Sequence, residues 1–148
     1  MNLYHFTREQ NLEGIGERGL VPAIGKHSTA MLTFGIPVVW FTSNKAPLWM
    51  VMVGDGDGTA DMCVLTVNVK AKNLHHWRTW LVAREGVGLD DSGRMTQRVS
   101  GTEMLAKLDP EWGERARADS ENYWICTSVV HRKRITKIQR ILLQAVNP

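Results

Sequence analysis

Side chains able to do chemistry stand at a few well-spaced places in this chain. His5 and Thr7 are two apart in the run Leu3-Tyr4-His5-Phe6-Thr7, Trp40 is followed by Thr42, Ser43 and Asn44, and Glu121 stands two residues before Tyr123. An imidazole at a strand end projects towards whatever lies beside the next helix. An indole among small polar residues offers a flat stacking face, and a carboxylate can favour a developing cation or accept a proton. Each has a plainer account. A lone histidine near apolar residues is usually hydrogen-bonded in a core, and a glutamate ahead of a strand is usually solvated.

Local physics supplies elements to carry them. Leu3, Tyr4 and Phe6 suit a half-buried strand. Thr7-x-x-Gln10 has the form of a capping box opening a helix, with Leu12, Ile15 and Leu20 on its apolar face and Gly19 then Pro22 as its stop. Val38, Val39, Trp40 and Phe41 form a second β-prone run, after which Ser43 or Asn44 is placed to cap a helix carrying Leu48, Trp49 and Val51.

Composition bounds the remainder. With 148 residues, of which 43% are hydrophobic, and no shift of composition along its length, residues 1–148 read as a single domain with its own core. No run approaches the roughly 18 apolar residues of a membrane span, and the opening lacks the order of a signal peptide, so a cytosolic (cytoplasmic) protein is expected. Cys63 and Cys126 are too few and too far apart for a disulfide framework or a zinc site and read as buried, reduced side chains.

Gly54-Asp55-Gly56-Asp57-Gly58 lacks the ligand pattern of an EF-hand and reads as a connector. Residues 63–72 alternate as a half-buried antiparallel strand, with Leu65, Val67 and Val69 on one face. The adjacent His75 and His76 point apart in either helix or strand, so no shared metal is expected there, nor elsewhere in the chain. Residues 84–120, glycine-rich and charged, are expected to be largely loop, with one short helix opened by Ser100-x-x-Glu103 and another opened by Asp109 and Pro110 and anchored by Trp112. Residues 120–130 have strand character, and a final strand carries Ile135, Ile138 and Ile141.

The pattern YH-x-T…NL-x-x-I-x-x-x-GL in the opening resembles that of DNA-targeting ADP-ribosyltransferase toxins, and the Trp40 segment resembles the aromatic stretch of the poly(ADP-ribose) polymerases. The resemblance to the ADP-ribosyltransferase superfamily covers the first two motif strands, the first helix and the last third of the chain. It implies an α+β fold: a split, mostly antiparallel sheet with short helices and an NAD cleft between its halves, the three motif strands lying side by side. It also implies a mono-ADP-ribosyltransferase with NAD as co-substrate and a protein or nucleic acid as acceptor. By the same resemblance His5 would hold an adenosine-ribose hydroxyl, supported by Phe6 and Thr7. Trp40, in place of the usual tyrosine, would stack on nicotinamide, Thr42 and Ser43 would line the floor, and Trp49 would close the other side of the ring.

The catalytic carboxylate has two alignments. Against the polymerases Glu121 takes that position; against the toxins the aligned residue is Tyr123 and the acid is absent. Glu121 is preferred because no other carboxylate stands on that strand. The formal charge is +3, but His131-Arg132-Lys133-Arg134 with Lys137 and Arg140 concentrates cations near the end of the chain. Arg132, Lys133 and Arg134 form either a solvated turn or a hold for a nucleic-acid acceptor. Two rival functions stay open: a catalytically silent nucleotide- or nucleic-acid-binding module of the same fold, and an enzyme like the RNA 2′-phosphotransferases.

Overall fold

A computed structural model describes residues 1–25, 30–46, 62–90, 92 and 94–141. Its centre is a six-stranded sheet with strands β1 (Asn2–Arg8), β2 (Val39–Thr42), β3 (Met62–Asn68), β4 (Leu74–His76), β7 (Tyr123–Cys126) and β8 (Ile135–Ile141), in the order β4-β7-β2-β1-β3-β8. Every pairing in it is antiparallel. A separate hairpin joins β5 (Glu85–Leu89) to β6 (Met95–Ser100). Helices α1 (Leu12–Arg18), α2 (Trp77–Val82) and α3 (Gly101–Ser120), with three short 3-10 turns, join the strands, so the expected α+β class with an antiparallel sheet is found.

Because side chains alternate along a strand, registered partners share a face. The pairs Leu3↔Val67, His5↔Leu65, Val39↔Cys126 and Phe41↔Trp124 give one face. Leu3, Val39, Phe41, Leu65, Val67 and Cys126 are buried there, with Leu12 and Ile15 of α1 packed on them. The pairs Tyr4↔Thr42, Thr42↔Tyr123 and Trp40↔Ile125 give the other. Over it lies a second core of Val38, Trp77, Trp80, Leu81, Met104 and Ile125, against which Trp40, Trp112 and Tyr123 pack. Two hydrophobic layers thus clamp one sheet, and the strand ends between them are held by both.

Several local expectations need correction. Thr7-x-x-Gln10 does not cap a helix: β1 runs on to Arg8, a single 3-10 turn spans Glu9–Asn11, and the Thr7 hydroxyl instead accepts from Asn11 Nδ2 at 3.0 Å. The expected stop is in place, with Gly19 at φ 75° donating its N–H to Ile15 O, a left-handed conformation that a Cβ would strain. The strand expected over residues 63–72 ends at Asn68 and is buried on both faces over most of its length.

The largest departure lies in residues 84–120, which hold β5, β6 and α3 instead of loop. Ser100 caps α3 as expected, its Oγ accepting from Glu103 N at 3.1 Å. The helix then passes through Pro110 and leaves helical backbone only at Gly113 (φ 75°, ψ 171°), so the junction of the two helical pieces lies beyond Asp109. Trp112 does anchor this stretch, stacking on Trp77 with ring centroids 5.7 Å apart and 20° between planes. Gly101 admits no side chain, since a Cβ there would run into the Leu81 carbonyl; this close approach seats α3 against α2. The expected helix carrying Leu48, Trp49 and Val51 and the glycine run at 54–58 lie outside the described residues.

Candidate functional site

The three motif strands are consecutive neighbours, β1-β2-β7. Their pairings are unequal. β1 is in register with β3 from Asn2 to Arg8 and β2 with β7 from Val39 to Thr42, whereas β1 and β2 share the single pair Tyr4↔Thr42. His5 reaches over from β1 at this point, its Nδ1–H donating to the Trp40 carbonyl at 2.7 Å. A carbonyl can only accept, so the proton sits on Nδ1 and the lone pair on Nε2. Burial pushes the imidazole pKa below its ordinary 6.5, with the bond to Trp40 opposing in part, so the ring is neutral at pH 7. His5 is therefore an acceptor at Nε2, the form needed to receive a hydrogen bond from a hydroxyl.

The register divides the remaining motif side chains between the two faces. His5 and Thr7 lie on the face of Phe41, and the His5 and Phe41 rings meet edge to face at 5.8 Å. Phe6, Trp40, Thr42 and Tyr123 lie on the opposite face. Trp40 is half-buried, 5.9 Å from Trp77 and 6.2 Å from Tyr123 between ring centroids, so part of its indole is already used in packing. Thr42 is buried, and its Oγ1 accepts from Asn44 N at 3.0 Å. Ser43 is bound to the residue after Glu121: its N–H donates to Asn122 O and its Oγ to Asn122 Oδ1, both at 3.0 Å. Trp49 lies outside the described residues.

Glu121 is not on a strand. It caps α3 with helical backbone (φ −64°, ψ −18°) and its N–H returns to Ala118 O, while β7 begins at Tyr123. The two-residue repeat that would have aimed Glu121 and Tyr123 alike does not operate there. Its side chain is 58% exposed, with Oε1 3.4 Å from Arg78 Nε, and its carbonyl accepts from His76 Nε2 at 2.6 Å. Arg78 is the hub of this corner. Its guanidinium forks onto Asp109 with two bonds of 3.0 Å and donates to Ser120 Oγ at 2.8 Å. The bonds from Arg78 hold the Asp109 carboxyl below its ordinary pKa.

One acid that sequence pattern did not single out stands in the middle of these residues. Asp119 is 8% exposed, and its Oδ2 accepts from the Tyr123 phenol at 2.8 Å and its Oδ1 from Asn44 Nδ2 at 3.3 Å. Burial, then the hydrogen bond to Asp119, push the Tyr123 phenol far above its ordinary pKa. Asp119 lies in the last turn of α3 and Tyr123 opens β7, so their bond spans the junction between helix and strand. No protein family matches this chain, and no curated protein or solved structure matches it significantly.

The basic residues stand elsewhere. Arg132–Arg134 is a 3-10 turn next to α1, where Arg132 Nη1 donates to Gly16 O at 2.9 Å, and Lys133 is exposed. Arg140 of β8 pairs with Glu9. β7 and β8 are four strand spacings apart, about 19 Å between their axes. Among the described residues no cluster of His, Cys, Asp and Glu could hold a metal ion.

Proposed function

We propose that this chain is a mono-ADP-ribosyltransferase that takes NAD as co-substrate and modifies a macromolecular acceptor. The observation that carries this reading is the arrangement of the motif strands. Segments far apart in sequence lie side by side as β1-β2-β7, and the two strands holding His5 and Trp40 stay in register at only one pair, with His5 bridging them. A split of the sheet at that point would let an extended dinucleotide touch residues of both faces. His5 Nε2 would accept from the adenosine-ribose hydroxyl, and Trp40, beside Phe6 and Tyr123, would hold the nicotinamide.

Glu121, exposed at the end of α3, faces the acceptor side. When the C1′–N bond of NAD breaks, its electron pair leaves with nicotinamide; the acceptor's lone pair closes the new bond to C1′ and its proton passes to the Glu121 carboxylate. Arg78, with its Nε 3.4 Å from that carboxylate, holds it in place. The silent-module reading draws on the same contact, because an acid committed to an arginine is less free to act as a base. Acceptor choice, protein or nucleic acid, belongs to the proposal, as does the basic turn at Arg132, Lys133 and Arg134 as a second hold on a nucleic acid.

Binding tests the reading at its base. NAD at about 100 times its Kd should stabilise the fold by about 2.7 kcal/mol, seen as a rise in Tm, and His5→Ala should remove the rise. A wild-type Tm unmoved by millimolar NAD, roughly the top of the usual KM range, would remove the basis of the proposal.

A further inference from the structure

Buried charges in proteins are almost always paired with an opposite charge, since an unpaired one is strongly penalised by desolvation. Asp119 departs from this rule. It is 8% exposed, and among the described residues its side chain is held only by a neutral amide and a neutral phenol and forms no ion pair. The nearby Arg78 spends its donors on Asp109, Ser120 and Glu121. A carboxylate left uncompensated in a core position, on the side of the sheet that carries Trp40, Thr42 and Tyr123, suits a cationic ligand.

We infer that Asp119 is the positioning carboxylate of this corner, acting through Tyr123 to receive the cationic nicotinamide end of NAD. The inference rests on the transferase reading and deepens it. Tyr123 holds the place at which the toxin-like alignment puts its acid, and the structure sets a carboxylate one hydrogen bond behind it. The phenol has one proton and gives it to Asp119, so its oxygen meets a ligand only as an acceptor. It can therefore receive a ribose hydroxyl, as a carboxylate in its place would, while the charge behind it favours the oxocarbenium-like state. The raised phenol pKa agrees with this: Tyr123 keeps its proton and passes on polarisation instead of acting as a base. The tie from Asn44 to Asp119 fixes the carboxylate to the turn after β2, so the acid and the stacking strand are set as one unit.

The test uses the charge of the ligand. Oxidised NAD carries a cationic ring and NADH a neutral one, so wild-type protein should bind NAD more tightly, and Asp119→Asn should cut that preference about tenfold. In nicotinamide release, Asp119→Asn and Tyr123→Phe should each lower kcat by about tenfold or more, Asp119→Asn raising the KM for NAD as well, and the double variant should have a kcat no lower than either, as for residues acting as a unit. Should Asp119→Asn fail to fold, Tyr123→Phe carries the kinetic comparison alone. An unchanged NAD-to-NADH preference in Asp119→Asn, additive losses in the double variant, or full kcat in Tyr123→Phe would overturn the inference while leaving the transferase reading in place. A wild-type protein that binds neither nucleotide would overturn both.

Discussion

At the scale of single residues, the site is governed by where protons and charges are held. His5 gives its Nδ1 proton to Trp40 O, and burial lowers its pKa. The sign of the resulting pH dependence follows. The unfolded histidine takes up a proton near 6.5 and the folded one only at lower pH, so stability is complete above that value and declines as pH falls through and below it. Wild-type Tm should thus drop between about pH 7 and pH 5 more than that of His5→Gln, which has no proton to gain. Parallel curves for the two proteins would place the ring in a solvated setting instead. His5 was legible from sequence as part of an aromatic strand, although it stands in the middle of β1 and not at its end. Asp119 was not, because its partner Asn44 is 75 residues away and nothing local marks the pairing. Glu121 was misplaced for a related reason: α3 runs on to Ser120 and its last turn carries Glu121 as cap, and only the tertiary seat of that helix decides this.

At the scale of elements, the corner beneath Trp40 and Tyr123 depends on a tryptophan layer. Trp77 is fully buried, donates Nε1–H to Leu32 O at 2.9 Å, and contacts the rings of Trp40, Trp112 and Tyr123. Trp77→Ala should cost about 3–5 kcal/mol in denaturant unfolding, through lost burial and the cavity left behind. A loss under about 1 kcal/mol would mean that α2 is not the support of β2 and β7. The strands with β-branched and aromatic runs, β1, β2 and β8, announce themselves in sequence, as do the Gly19 stop and the Ser100 cap. The β5–β6 hairpin does not. Gly86 and Gly88 interrupt its alternation, and Gly86 is needed because the Phe34 ring occupies the space of a side chain, a contact no local window contains.

At the scale of the whole molecule, a sheet clamped between two hydrophobic layers presents the β1-β2-β7 ends at one place and a basic edge strand at another. An acceptor engaging both Glu121 and the Arg132–Arg134 turn must reach from the end of α3 to the turn beside α1, a reach suited to an extended polymer. No described helix is long and apolar enough to cross a membrane. The class of the fold was open to sequence reasoning because it rests on local strand chemistry, whereas the adjacency of the motif segments was expected only from the resemblance. The division of His5 and Trp40 between opposite faces was not, since one register pair, Tyr4↔Thr42, sets it. The claim that these parts serve transfer from NAD is met most directly by measuring nicotinamide release for wild type and Glu121→Gln, with protein, DNA and RNA acceptors offered. The account predicts release by the wild type and a fall of roughly 10²-fold in the variant with NAD affinity retained; no release by the wild type with any acceptor, or equal rates in the two proteins, would contradict it.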